Sequence, residues 1–132
     1  YQQQNHEILI ELLENAPNIK TAFTDIFKQA VIESLQDRIT KGCFMVNSSV
    51  ELAMHDPEIA KIVHDNQKTV EDIFCKAIKK GQEAGQISDK QEARSLARFI
   101  FNNYSGIRVL ARTGEKDKQV YDDILKSIFA LF

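Results

Sequence analysis

The sequence predicts an all-α domain of six helices, and three observations carry that expectation. Apolar residues recur at three- and four-residue steps along most of the 132 residues, the period of helices with a buried face. With 5 glycines and 2 prolines the chain is too poor in turn formers for a β fold of many short strands. The glycines and prolines it does have stand where helices would begin or end. A chain of this length can build one domain with a real core.

The first helix is expected from about Gln3 to Glu14, with Ile8, Leu9, Leu12 and Leu13 as its apolar stripe. Asn15-Ala16-Pro17-Asn18 breaks it, because proline disfavours helix at the residue before it. A second helix, about Ile19 to Thr40, buries Phe23, Ile26, Phe27, Ala30, Val31 and Leu35, and Lys41-Gly42 ends it. A short third helix carries Cys43, Val46, Val50 and Met54 on one face, with Asn47 among them and Glu51 one turn on. A polar pair inside an apolar stripe needs partners, since each unsatisfied group costs about 1–3 kcal/mol.

The corner His55-Asp56-Pro57-Glu58 separates that helix from a long fourth one. Asp56 is a preferred N-cap, Pro57 suits the first helical position, and Glu58 places negative charge at the positive end of the dipole. The stripe Ile59, Val63, Val70, Phe74, Ala77 and Ile78 follows, and Gly85 stops the helix in a left-handed conformation with Ile87 just past it. The fifth helix is expected to start at Ser88 or Asp89, where Ser88 with Gln91, or Asp89 with Glu92, has capping-box spacing, and to run to about Arg112 before Gly114. The sixth spans about Lys116 to Phe132.

The last two helices are apolar on two sides. Leu96, Ile100 and Ile107 lie in a fifth helix that also carries Phe99, Phe101, Tyr104, Val109 and Leu110. In the sixth, Val120, Ile124 and Ile128 oppose Tyr121, Leu125, Phe129 and Phe132. Such helices are buried nearly all round. A twofold homodimer that pairs them into a four-helix bundle would cover both faces, with Leu96, Ile100, Ile107, Val120, Ile124 and Ile128 at the interface. A thick monomeric core would also use them.

Composition excludes several classes. A net charge of −2 makes this chain alone a poor ligand for a phosphate backbone. No apolar run approaches the ~20 residues of a membrane span. Cys43 and Cys75 lack metal spacing and read as reduced core thiols of a cytosolic protein. Glu51 and His55 are one turn apart and His64 could join them only across helices, which is short of a metal site. There is no nucleophile motif, phosphate loop or carboxylate dyad, so an enzyme is not expected, and no cofactor is expected either.

The stretches GCFMVNSSVELAMHDPEIAKIV from Gly42, KKGQEAGQIS from Lys79 and GIRVLARTG from Gly106 together resemble the C-terminal domain of TetR-type transcriptional regulators. The resemblance extends over nearly the whole chain and is strongest from Gly42 to Gly114. It implies a single ligand-binding and dimerisation domain over residues 1–132. Residues 1–15 would end the helix that leads from an N-terminal helix-turn-helix domain lying outside this sequence, an expectation that the start at Tyr1 rather than Met supports. It implies a cytoplasmic homodimer whose last two helices form the dimer bundle, and which reaches DNA only through that N-terminal domain. A small apolar or amphipathic molecule would enter a cavity among the helices and shift the connecting helix. The family's ligands vary, so the cavity residues come from pattern: Leu12, Phe27, Phe44, Asn47, Met54, Phe74, Ile78, Phe101 and Tyr104 occupy inward positions where helices converge. Asn47, Glu51, Asn66, Asn102, Asn103 and Tyr104 are the polar groups available to orient a ligand. The alternatives are a helical interaction module without a ligand and a metal-binding helical protein.

Overall fold

The computed structural model describes residues 2–36 and 55–132, with side chains from His6 onward. Among the described residues there are five α-helices and no strand: α1 (Gln2–Glu14), α2 (Ile19–Leu35), α3 (Pro57–Glu83), α4 (Ala93–Arg112) and α5 (Lys118–Ala130). The expected short helix with Cys43, Phe44, Asn47, Glu51 and Met54 lies outside the described residues.

The helix ends follow local chemistry. Asn18 caps α2 by accepting from Thr21 N, and Asp56 caps α3 by accepting from Glu58 N with Pro57 in the first turn. Gly85 (φ +74°) closes α3: Gly85 N donates to Gln82 O and Gln86 N to Gly81 O, a Schellman pair. Gly114 (φ +90°) does the same for α4, through Ala111 O and Leu110 O. Two boundaries differ from expectation. Helix α2 stops at Leu35 rather than Thr40, with Gln36 as its C-cap. Helix α4 starts at Ala93, and neither capping box forms. Residues 88–91 are held instead by contacts across the fold: Ser88 N donates to Phe132 O, and the Gln82 amide donates to Ser88 O and Gln91 O. Those bonds compete with helix formation and win.

Phe23, Phe27, Ala30, Phe74, Ile78, Leu96, Ala97, Ile100 and Ile107 form the centre, closed below by Tyr121, Ile128 and Phe132. The rings meet edge to face in a continuous chain. Phe74 contacts Phe23, Phe23 contacts Phe132, Phe132 contacts Phe129, Phe129 contacts Phe27, and Phe27 contacts Tyr104, all at centroid distances of 5.2–5.7 Å. Such pairs add about 0.5–1.5 kcal/mol each beyond the area they bury. Cys75 is buried with a free thiol.

Helix α1 is attached differently. It runs in the same direction as α3, with His6 Nε2 2.7 Å from Asn66 Oδ1 near one end and Lys80 Nζ donating to Glu14 O at the other. Of its described side chains only Leu13 is buried, and Ile8, Ile10 and Leu12 are exposed.

Helices α3 and α4 are also clamped by charge. Arg94 donates to Asp72 (2.6 Å) and Glu71 (2.9 Å), and Arg98 to Glu71 (3.0 Å). Partial burial pushes the Glu71 pKa up, but the hydrogen bonds and charges of Arg94 and Arg98 outweigh it and hold the carboxyl below its usual range. A depressed folded pKa means the contribution is complete above the unfolded carboxylate's pKa and is lost as pH falls through the folded value.

Glu71→Gln is therefore expected to lower stability at neutral pH and to converge with the parent protein once the pH falls below the depressed Glu71 pKa, measured by urea unfolding across pH. Parallel curves at all pH would remove the carboxylate from the account. A second prediction concerns Gly81, where an added Cβ would meet Ile87 Cδ1 at 2.6 Å and Ile19 Cβ at 3.1 Å. Ile87 can turn aside, but Ile19 Cβ is fixed to its backbone. Gly81→Ala should cost about 1–3 kcal/mol in the same assay, although alanine favours helix.

Candidate ligand-sensing site

The sequence-predicted cavity residues divide into three groups. Phe27, Phe74 and Ile78 are packed solid, each no more than 1% exposed, so they are core and offer no free wall. Phe101 and Tyr104 are half-buried on α4. Phe44, Asn47 and Met54 lie outside the described residues. Leu12 is 53% exposed, while its neighbour Leu13, at 3%, enters the core. Consecutive residues on a helix stand about 100° apart, so only one of the pair can face α3.

The polar candidates are mostly committed. Asn66 Oδ1 meets His6, the Asn103 amide donates to Phe99 O, and Asn102 is exposed. Tyr104 is the exception in kind. Its ring packs against Phe27 at 5.7 Å, and the Arg108 guanidinium stands 5.0 Å from its ring centroid and donates to its hydroxyl at 2.6 Å. Arg108 also donates to Glu33 Oε2 at 2.8 Å, joining α4 to α2. With 11% and 18% of their side chains exposed, these partners form a largely desolvated ion pair beside an aromatic face. The sequence reading missed Glu33 and Arg108. The available signal was the one-turn spacing from Tyr104 to Arg108, which places an arginine beside an aromatic ring.

A concavity separates α1 from α3. It is a groove of about 290 Å³ with Ile10, Leu13, Ile73 and Ala77 as its apolar floor, and Glu14, Asp72, Lys76 and Lys80 at its rim. None of the expected cavity residues that are described lines it.

The residues expected at the dimer interface differ in their burial within one chain. Leu96, Ile100, Ile107 and Ile128 are no more than 1% exposed within a single chain, so their surface is already spent on the protomer core. Val120 and Ile124 are half-buried, and Val109 and Leu131 keep 42% and 47% of their surface. Apolar surface left over on α4, α5 and the residue after it includes that of Val109, Val120, Ile124 and Leu131.

Comparison with known proteins agrees with the helical architecture. The family described as tetracyclin repressor-like, C-terminal domain, matches residues 22–128. An uncharacterised HTH-type transcriptional regulator, YezE of Bacillus subtilis (strain 168), is 26% identical over 131 residues, covering 97% of this chain and 68% of the relative. No solved structure matches at a significant level. With its family match running from α2 to α5, this chain belongs to the tetracyclin repressor-like C-terminal domain family of TetR-type transcriptional regulators.

Proposed function

We propose that the domain is the ligand-sensing and dimerisation part of a transcriptional regulator, in which a small apolar or amphipathic molecule changes the position of α1 and so the DNA affinity of an N-terminal helix-turn-helix domain. The observation that carries this reading is how α1 is held. Its described residues bury one side chain fully, Leu13, with Leu9 half-buried against the same core, and its hydrogen bonds to α3 lie near the two helix ends. Hydrogen bonds of this kind contribute about 0.5–1.5 kcal/mol net, so a helix held by them can be displaced by ordinary binding energy. Coupling between ligand and DNA of about 1–3 kcal/mol, reciprocal between the two, is within reach of such an element.

The interior ligand would lie against Phe101 and Tyr104, with Phe44, Asn47 and Met54 contributed by the segment between α2 and α3. Arg108 and Glu33 stand next to that position and supply a polar edge. Dimerisation would use the leftover apolar face of α4 and α5. The solid packing of Phe27, Phe74 and Ile78 favours a second reading, a helical interaction module without a ligand.

Native mass spectrometry of the protein as purified, beside a denatured control, separates these readings. The sensor reading expects a mass of two chains with added small-molecule mass lost on denaturation, or a ligand found by thermal-shift screening. Failure of both favours the module. For the interface, Ile124→Asp should weaken dimerisation by about 2–4 kcal/mol, roughly thirtyfold or more in dissociation constant, by light scattering across concentration. An unaltered dimer would place the interface elsewhere.

A further inference from the structure

The groove between α1 and α3 stands apart from the interior position just described. On α3, Phe74 packs against Phe23 of α2 and Ile78 is buried in the same core, whereas Ile73, Lys76 and Lys80 line the groove beside α1. The groove opens to solvent there. Part of its apolar floor is exposed to water: Ile10 retains 37% of its surface and Ile73 is half-buried, while Leu13 and Ala77 are buried beside them. Covering such a floor is favourable at about 25 cal/mol per Å².

The rim selects the sign of an occupant. Asp72 is matched from the far side by Arg94 at 2.6 Å, so its charge is already balanced. Lys80 points its ammonium at the backbone carbonyl of Glu14, not at a carboxylate. Lys76 is 84% exposed and reaches Glu14 only at 3.9 Å, a weak contact between two solvated groups. Two cations therefore face one loosely held carboxylate across an apolar floor. The volume, about 290 Å³, is near the lower limit of the roughly 300–1,000 Å³ usual for small-molecule sites, which restricts the occupant to a compact body.

We infer that this groove binds a small amphipathic carboxylate, with its apolar body on Ile10, Leu13, Ile73 and Ala77 and its carboxylate between Lys76 and Lys80. Binding draws Lys80 from Glu14 O and Lys76 from the Glu14 carboxylate, which loosens the end of α1 that Leu13 anchors. That consequence rests on the sensor reading above, whereas the site itself does not.

The test uses octanoate as probe and octanol, the same chain without the charge, as control, with calorimetry and methyl NMR on the full protein. Octanoate is expected to bind at least about fivefold more tightly than octanol and to shift the methyl groups of Ile10 and Ile73. Lys76→Glu, a change at a solvated position, should weaken octanoate about tenfold and leave octanol unchanged. Ala77→Leu, which fills the floor, should abolish both. The inference is overturned if octanoate does not bind, if octanol binds equally, if Lys76→Glu has no effect, or if the shifts fall beside Phe101 and Tyr104 instead. The last outcome leaves the sensor reading standing. Octanoate seated in the groove with no change in DNA affinity gives the reverse: the site holds and the sensor reading fails at that position.

Discussion

The chain of aromatic rings from Phe74 to Tyr104 is the constraint on which the remaining structure depends. It passes from α3 to α2, to the last residue Phe132, through Phe129 of α5, back to α2 and out to α4. Every helix except α1 contributes to or abuts it. Edge-to-face packing is directional, so each ring fixes the angle of the next as well as its distance. The position of Phe132 is further fixed by its carbonyl, which accepts from Ser88 N. That bond links the end of the chain to the α3–α4 connection and accounts for the late start of α4. The outer end of the ring chain is the Arg108–Glu33 pair, whose charges are tolerated at low exposure because the guanidinium is satisfied by Glu33, by the Tyr104 hydroxyl and by the ring face together.

Much of this fold was legible in the sequence, and the legible parts share a cause. Asp56-Pro57, Gly85 and Gly114 act through their own backbone preferences, which need no tertiary partner, and each marks a boundary where expected. The parts read wrongly depend on competition between distant groups. Ser88 with Gln91 has capping-box spacing, but Gln82 and Phe132 claim that backbone first. Nothing local to residues 88–92 reveals this.

The functional residues were less legible for the same reason. Periodicity identifies apolar faces but not which partner each one meets. Leu96, Ile100, Ile107 and Ile128 have the pattern of an interface and also that of a core, and the protomer buries them. Leu12 and Leu13 are chemically identical neighbours, and the crossing of α1 over α3 decides between them. Glu33 and Arg108 are 75 residues apart, and each alone looks like a solvated charge. The α1–α3 groove is formed by residues that a helical pattern assigns to a flank, between the buried stripe and the exposed one.

If α1 moves as proposed, the same placement spares the ring chain of the core. Withdrawing Leu13 would expose a fully buried leucine, at about 1.5–3 kcal/mol, whereas parting His6 from Asn66 exchanges one hydrogen bond for water at about 0.5–1.5 kcal/mol. The softer tie lies near the N-terminal end and the stiffer one at the C-terminal end. A force applied to α1 therefore swings it about Leu13 more readily than it slides it. From Leu13 to Gln2, α1 makes a lever of about 17 Å at ~1.5 Å per residue, so a tilt of about 5° would move its far end by about 1.4 Å. The ring chain does not run through α1, and its packing resists no part of that swing. The proposed rigid body and movable arm would thus be separated by where the phenylalanines and tyrosines fall in the sequence: the described side chains of α1 include none of either.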